Sequence, residues 1–546
     1  MTEYLAAILA ASRRRAASLT LVDDLSDRTA AMSEWHTIAA SDYFDAGGQT
    51  VRISADADNH GVVNLYDEAR SVNITPTRLG TTNVTLRGIT DDEQEVETDY
   101  QITVTPDDLF AGLPDMPEPT VYYLNYGDDP CREMTVHWNT EAADSDRAVL
   151  EYRADGASEW TLYAGTHVRH PFTGDEAHDH PRNLWPELNI HTVKLLDLTP
   201  GQLYEFRLRQ GGTIHRFRMP PLSLSGGAQF KLGICADLST SSTRSVFMAA
   251  RELNVDAMAI SGDIAYDDGV ASRSHVWLGG ADGSVAGLWE SMIPWLKRES
   301  DDCIIPIIAG MGNHEVIGFY RDDKNLAPYF YRQFSWPQRG YGFLDFGDWL
   351  SLFMGDTNHT APVLGSQYDI QTQYLDDGFE ARKAASVKHL IPTYHVPAYP
   401  TYKDFRDIHS FRVRENWTPI FDRHGITVAF EHHDHTYKRT VPLRGGQPTV
   451  GGLVYYGDGW RNRDVINPST TPWLDEAYGI TYLPGTDELS SDPHPDTGTD
   501  ADPQKAMHFN VVTLRENDRT IQSVSVGSGV LTNLDIFHEL IQAADA

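Results

Sequence analysis

Residues 259–266 read Ala-Ile-Ser-Gly-Asp-Ile-Ala-Tyr, a short and mostly apolar run that stops at a glycine and an aspartate. The run has the composition of a buried strand, and the Gly-Asp pair marks its end. In an open α/β sheet, polar groups at the carboxyl ends of strands face a crevice where ligands bind. Asp263 is therefore predicted to lie at the mouth of a site, although Gly-Asp after a strand is also common in simple turns.

Four other apolar runs, at residues 230–234, 304–308, 390–391 and 426–430, are also followed by polar groups. Carboxylate, amide and imidazole groups suit borderline or hard metal ions, and an aspartate can bridge two cations. A strand-then-helix rhythm, with a helix expected over 245–253, favours a layered α/β sheet. The sequence thus predicts a metal site at one edge of that sheet, built from these residues: Asp237, Asp263, Asn313, His395, His433 and His435.

In their order along the chain, these clusters resemble the motifs of the calcineurin-like metallophosphoesterases, over roughly residues 227–546. Tyr266 stands three residues after Asp263, which is similar to the purple acid phosphatases. The resemblance implies hydrolysis of phosphate esters, first of all phosphomonoesters, by attack of a hydroxide bound to two metal ions. A phosphodiesterase or phosphotriesterase using the same site is the alternative enzyme. A non-catalytic surface or binding module is the alternative outside enzymes.

The resemblance also implies the metal ligands. Three residues would hold each ion and one would bridge them: Asp237, Tyr266 and His435 for the first, Asn313, His395 and His433 for the second, and Asp263 as the bridge. Because a free phenol has a pKa near 10, a bound tyrosinate requires a strongly polarising ion. The resemblance implies iron paired with zinc, manganese or a second iron as the cofactor. A hydroxyl that only caps its loop is the alternative for Tyr266.

Two histidines are candidates for acid catalysis. His314 occupies the position from which the family's histidine contacts phosphoryl oxygens, so it would stabilise charge or protonate the leaving group. Glu315 is expected to orient a neighbour. His409 is the second candidate, although its offset from the other histidines differs from the family pattern.

Substrate contacts are expected at the rim of the site. His432 precedes His433 where the family normally has glycine, and we expect its imidazole at the rim. Tyr399 and Arg461 are further candidates, because a tyrosine or an arginine could hold a phosphate oxygen. The expected substrate is a small phosphate ester.

The region before the catalytic part is predicted to be all-β. Short alternating strands resemble an immunoglobulin-like or cadherin-like module over 47–112 and a fibronectin III-like sandwich, often present in purple acid phosphatases, over 118–222. Residues 1–46 are predicted to be helical and could support an oligomer. The catalytic α/β domain, with a layered mixed sheet, is predicted to span 227–546.

Composition narrows the range of partners. The chain carries 78 acidic and 44 basic residues, a formal net charge of -34, which argues against binding nucleic acid. No stretch reaches the length of a membrane-spanning helix. The family resemblance implies an extracellular or periplasmic location. However, basic residues 13–15 follow the apolar run 5–11 instead of preceding it, which is not the order of a signal peptide, so localisation stays open.

Overall fold

The computed structural model describes residues 19–540 with several gaps. The ranges outside the description within that span are 23–25, 32–35, 48–49, 59–61, 69, 77–79, 91–93, 106–111, 171–187, 239–242, 270–276, 278–294, 335, 338–339, 365–369, 401–402, 436–437, 459–506 and 528–529. Among the described residues, no helix combines the length and the apolar character needed to cross a membrane.

Residues 20–105 form a β module with two main sheets, beside which Thr20–Leu21 pairs with Phe44–Asp45 as a short two-stranded sheet. One sheet has the order β2-β9-β8-β5 and the other β3-β7-β6, and buried aliphatic side chains fill the space between them. The strands and one short helix are β1 (Thr20–Leu21), β2 (Arg28–Ala31), β3 (His36–Ala39), α1 (Ala40–Tyr43), β4 (Phe44–Asp45), β5 (Val51–Ala57), β6 (Val63–Glu68), β7 (Ser71–Pro76), β8 (Gly80–Thr90) and β9 (Glu95–Thr105).

The helical prediction for residues 1–46 is wrong for the described part of that segment, apart from the four residues of α1. Strand β2 pairs with β9, and β3 pairs with β7, so this segment belongs to both sheets of the module. Ile38 and Phe44 are buried in the core of the module. Backbone pairing and this burial outweigh the local helix preference of alanine and leucine.

The next eight described strands form one side of a longer sheet and a separate four-stranded sheet. The separate sheet has the order β13-β12-β16-β17. The strands are β10 (Val121–Tyr126), β11 (Met134–Glu141), β12 (Val149–Ala154), β13 (Thr161–Ala164), β14 (Thr166–His170), β15 (Leu188–Leu195), β16 (Leu203–Arg207) and β17 (His215–Arg218).

The catalytic region adds two larger sheets with helices outside them, which confirms the predicted α/β class with mixed sheets behind an all-β region. Its elements are β18 (Phe230–Cys235), α2 (Thr243–Glu252), β19 (Ala257–Ser261), β20 (Ile307–Gly310), α3 (Phe330–Gln333), β21 (Gly342–Phe346), β22 (Leu350–Gly355), α4 (Ile370–Ala384), β23 (His389–Tyr394), α5 (Ile408–Asn416), α6 (Thr418–His424), β24 (Val428–Glu431), β25 (Lys438–Arg439), β26 (Leu443–Arg444), β27 (Gln447–Pro448), β28 (Val454–Gly457), β29 (Met507–Leu514), β30 (Asp518–Gly527) and β31 (Val530–Leu540).

Ten described strands make the first large sheet, in the order β14-β15-β11-β10-β20-β19-β18-β29-β30-β31. The all-β and catalytic regions therefore share one sheet. They meet where β10 runs parallel to β20, with Asn125 opposite Ile307. The Asn125 side-chain amide also donates to the Ile307 carbonyl at 2.8 Å. Backbone pairing thus crosses the boundary predicted near residues 222–227, and the division into two domains there stays a prediction.

The second large sheet has the order β21-β22-β23-β24-β28-β25 and packs against the first. Ile234, Ala259 and Ile308 from the first sheet share one buried cluster with Leu352, Ile391 and Phe430 from the second. Strands β18, β19 and β20 are mutually parallel, as are β22, β23, β24 and β28. The Ser261 and Thr393 hydroxyls, 2.6 Å apart, join the carboxyl ends of the two sheets, where the predicted site residues lie.

Candidate metal centre

Two groups of potential metal ligands lie at the carboxyl ends of these strands. Donor atoms of Asp263, His395 and His433 lie within 4.8 Å of one another, and the same is true of Asp237, Asp263 and His435. Asp263 belongs to both groups, which is the arrangement that a carboxylate bridging two ions requires. The family resemblance implied a bridging role for Asp263, and this role stays a prediction that the positions of the donor atoms permit.

The group of Asp263, His395 and His433 converges on one imidazole nitrogen. His395 Nε2 lies 3.1 Å from Asp263 Oδ2, 3.3 Å from Asn313 Oδ1 and 3.2 Å from His433 Nδ1. Burial lowers the pKa of His395, but the charges of Asp263 and Asp237 outweigh it and raise that pKa to about 9. The cluster thus favours positive charge at this point. Two imidazole nitrogens, a carboxylate and an amide oxygen are a donor set that fits a divalent cation.

The group of Asp237, Asp263 and His435 centres on Asp237. His435 Nε2 lies 3.0 Å from Asp237 Oδ1, and the Tyr266 hydroxyl lies 2.9 Å from the same nitrogen. That hydroxyl also donates to Asp237 Oδ1 at 3.3 Å. Burial and the charges of Asp237 and Asp263 hold the pKa of Tyr266 well above 10. Only a strongly polarising ion would deprotonate this phenol, so ligation by Tyr266 remains a prediction that its position permits.

Unusual backbone conformations concentrate at this site. Five predicted ligands have φ in the left-handed region: Asp237 at 56°, Asp263 at 50°, Tyr266 at 52°, His433 at 65° and His435 at 56°. Such a conformation costs a non-glycine residue roughly 1–2 kcal/mol. Strain of this kind persists where surrounding contacts enforce it, and it clusters at functional sites.

Two glycines and one carboxylate hold the Asp263 loop against the Asn313 loop. A Cβ atom at Gly262 would stand 2.5 Å from the Gly312 nitrogen, so side chains are excluded where the loops meet. Glu315 accepts hydrogen bonds from the backbone N–H groups of Gly312, Asp263 and Ile264 at 2.7–2.8 Å. Burial, together with the charge of Asp263, raises the pKa of Glu315 to about 7. Glu315 therefore orients its neighbours, as expected.

His314 lies at the open side of the cluster. Its backbone N–H donates to Asp263 Oδ1 at 2.8 Å, and its Nδ1 is 2.5 Å from Asp268 Oδ1. With Nδ1 engaged, Nε2 lies 3.8 Å from Asp263 Oδ2. Burial lowers the pKa of His314, but the hydrogen bond to Asp268 and the charge of Asp263 more than offset this and raise it. His314 is thus a partly exposed imidazole disposed to carry a proton beside the cluster.

His409 is separated from the cluster by an aromatic ring. Tyr320 stacks on His409 with ring centroids 3.6 Å apart, and the Tyr320 hydroxyl lies 3.5 Å from His433 Nε2. On its other side the Tyr320 ring stacks on His359 at 4.9 Å. Burial lowers the pKa of His409, which disfavours its protonated form. Its role as the acid therefore has less support than that of His314.

Sequence reasoning missed Tyr320 and His359. His359 follows β22 within the run Gly355-Asp356-Thr357-Asn358-His359, which repeats the strand-then-Gly-Asp pattern of residues 262–263 and could have been found. Asp356 itself is a structural carboxylate: it accepts hydrogen bonds from the backbone N–H groups of His359, Thr360 and Ala361.

The expectation that His432 lies at the rim is wrong. Its side chain is buried, with Nδ1 2.7 Å from Asp458 Oδ1 and Nε2 3.3 Å from the Thr393 hydroxyl. Directly after β24, the His432 N–H donates to the His395 carbonyl, and this bond directs the His432 imidazole inward between the sheets. Asp458 in turn accepts from Asn510 at 3.2 Å. His432 thus belongs to a buried polar chain behind the ligands.

The expectation that Tyr399 contacts substrate is also wrong. Its side chain is buried, and its ring lies 4.6 Å from that of Tyr455, inside the cluster of side chains between the second sheet and helices α4–α6. Burial and the charge of Glu431 raise its pKa to about 12. Arg461 lies outside the described residues.

A buried ion pair holds Glu431, the last residue of β24 before the ligand loop. Lys438 Nζ lies 2.6 Å from Glu431 Oε1 and 2.7 Å from the Tyr399 carbonyl, and both charged side chains are fully buried. Glu431 also accepts from the Tyr394 hydroxyl at 3.0 Å. These contacts fix the two strands on either side of His433 and His435.

Two parts of the chain match known families. Residues 119–221 match the purple acid phosphatase N-terminal domain, and residues 230–437 match the calcineurin-like phosphoesterases. The second match includes all seven predicted ligands, of which His435 is the last along the chain. It therefore covers the whole candidate metal centre.

Solved structures share the fold at low sequence identity. A purple acid phosphatase from yellow lupin (Lupinus luteus) seeds superposes with a TM-score of 0.55 at 12% identity, covering 92% of each chain. A structure titled PhoD gives 0.54 at 9% identity, covering 79% of this chain and 92% of that one. At these identities the likeness establishes the fold alone.

Two uncharacterized proteins, from two strains of Mycobacterium tuberculosis, are curated relatives. Each is 23% identical to this chain over 359 residues, which is 60% of this chain and 63% of the relative. The matched part therefore spans less than two thirds of the length of these relatives.

Proposed function

We propose that this chain, whose residues 230–437 match the calcineurin-like phosphoesterases, is a phosphoric ester hydrolase that cleaves phosphomonoesters with two metal ions held around Asp263. The observation that carries this proposal is the membership of Asp263 in both donor groups. Asp237, Tyr266 and His435 would hold one ion.

The second ion would be held by Asn313, His395 and His433, whose donor atoms meet at His395 Nε2. When bound, such a pair of ions lowers the pKa of a water molecule and neutralises charge on the ester oxygens. Iron with zinc, manganese or a second iron is the pair we propose, because only a strongly polarising ion would bind the Tyr266 phenol as its anion.

His314 would protonate the leaving oxygen. Asp268 accepts a hydrogen bond from Nδ1, so the proton to be donated sits on Nε2, which faces Asp263. Asp263 fixes the His314 backbone by accepting from its N–H. The imidazole is thereby held at one edge of the cluster, and a positioned acid of this kind typically contributes about 10²–10⁴-fold in rate.

The proposal is tested by comparing a nitrophenyl phosphate monoester with the matching diester, using full-length protein loaded with iron plus zinc or with manganese. A faster monoester rate is the expected result. A faster diester or triester rate would reassign the substrate class. Absence of turnover at full metal content would favour a binding module.

Asp263→Asn is expected to remove both ions together, because this side chain is common to both donor groups. Turnover should fall by more than the ~10–100-fold typical of losing a residue that only supports a ligand. Metal content by mass spectrometry and turnover are measured on the same samples. Asp302→Asn is the matched control, since Asp302 has a similar φ of 58° away from the cluster. An Asp263→Asn protein that retains both ions would contradict the bridging role.

A further inference from the structure

Phe319 has a backbone conformation that is rare for a bulky residue. Its φ is 73°, and its side chain is 44% exposed. A left-handed conformation in a large aromatic residue is a genuine outlier, and exposing the ring gains nothing for the core. Folding stability therefore gives no reason for a phenyl group at this position.

The loop that carries Phe319 is fixed at both ends. The Phe319 N–H donates to the Val316 carbonyl at 2.9 Å, and the N–H groups of Arg321 and Asp322 donate to the His359 carbonyl at 3.0 Å. These hydrogen bonds fix the backbone on either side of the Phe319 side chain.

The ring borders the proton donor of the proposed reaction. The Phe319 and His314 ring centroids are 5.6 Å apart, with the rings nearly perpendicular at 75°. His314 also lies 4.3 Å from the Tyr266 ring. Ile317, on the same loop, is 41% exposed. Apolar and aromatic side chains thus border the faces of the His314 ring, while the Asp268 carboxylate lies at its Nδ1.

We propose that Phe319 contacts the organic group of the ester and selects phosphate esters whose alcohol is aromatic or apolar. The inference rests on the proposed function, since it takes His314 as the group that protonates the leaving oxygen. The carbon attached to that oxygen must then lie next to His314, where the Phe319 ring is. Contacts between aromatic groups prefer this edge-on or offset geometry.

Binding of two inert phosphonates tests the inference without requiring turnover. Dissociation constants of phenylphosphonate and methylphosphonate are measured by calorimetry on metal-loaded, full-length protein. The wild-type chain should bind phenylphosphonate roughly 3- to 10-fold more tightly, the range expected for one aromatic contact. Phe319→Asn should abolish this ratio while leaving methylphosphonate affinity unchanged, because asparagine tolerates the left-handed backbone. Phe319→Tyr should preserve the ratio.

Phe411→Asn is the matched control, since Phe411 is 45% exposed and its ring faces Arg414. It should leave the ratio at the wild-type value. An unchanged ratio in Phe319→Asn, or an equal loss of affinity for both phosphonates, would overturn the inference. A phenyl preference that depends on Phe319, in a protein that hydrolyses no ester, would support the inference and refute the proposed function alone.

Discussion

His314 owes its proposed role to the aspartates around it. Asp263 fixes its backbone and Asp268 its Nδ1, and together they raise its pKa against the opposing effect of burial. A histidine that stays protonated beside a cluster of carboxylates can donate a proton at a pH where a free imidazole would already be neutral. The strength of the acid is thus set by Asp268, which is no predicted metal ligand.

Asp268→Asn should lower the pKa of His314, because the hydrogen bond and the negative charge that raise it are both weakened. The protonated form is then lost at lower pH, so the alkaline limb of the turnover profile should move to lower pH. The effect should be larger for an alkyl phosphate than for nitrophenyl phosphate, whose leaving group needs less protonation. The pH profiles of both substrates are the measurement. Identical profiles for variant and wild type would contradict the role of Asp268.

For single residues, the sequence predicted the positions of polar groups that follow apolar runs. It did not predict the orientation of side chains whose partners are distant in the chain. Asp237, Asp263 and Asn313 were found because strand ends collect polar groups at one edge of a sheet. His432 stands beside two predicted ligands but turns inward to Asp458, a partner 26 positions further along the chain. Local pattern does not contain that partner, so the error could not be avoided from sequence.

The ion pair of Glu431 and Lys438 joins β24 to β25, which flank β28 in the second sheet. Removing one member leaves the other charge buried without its counterion, which typically costs 3–5 kcal/mol. Lys438→Met should therefore lower the free energy of unfolding by about that amount and weaken metal binding, because His433 and His435 lie between these strands.

The double variant Glu431→Gln with Lys438→Met should recover much of this loss, since the Glu431 charge is removed together with its counterion. Asp434, 3.9 Å from Lys438 Nζ, loses that cation in both variants and keeps the hydrogen bond from the Lys403 N–H. Urea unfolding and metal content of the two single variants and the double variant are the measurements. Additive losses in the double variant would show that the two side chains act independently.

Elements were predicted unevenly. The helix expected over 245–253 is α2, Thr243–Glu252, because an amphipathic period and a following strand define it locally. Residues 19–46 were misassigned because strands β2 and β3 find their partners, β9 and β7, more than thirty residues away. Local preference is weak where pairing over such distances determines the structure.

Buried histidines make the whole molecule sensitive to acid. Burial lowers the pKa of His137 and His191 to about 3 and that of His215 to about 4. In the unfolded chain these imidazoles titrate near 6.5. Below that pH these histidines are protonated in the unfolded state but stay neutral in the folded state. The free energy of unfolding is therefore highest above pH ~6.5 and decreases as the pH falls toward 4.

Each of these histidines should lower the free energy of unfolding by about 2 kcal/mol between pH 7 and pH 5. His191→Gln should reduce the pH dependence of the free energy of unfolding by that amount, while retaining a partner for the Thr140 hydroxyl, 2.8 Å from His191. His167→Gln, at a half-buried position opposite His191, should reduce it less. Urea titrations at both pH values check this, and equal slopes for the two variants would contradict it.

The ladder between β10 and β20 bears on how such proteins can be inherited and recombined. A domain joined to its neighbour only by a linker can be exchanged by recombination without breaking a sheet. Here, a cut between the all-β and catalytic regions would leave β20 as a bare strand edge, open to pairing with other chains. A chimaera that carries this catalytic region therefore has to supply a strand or another cover at that edge.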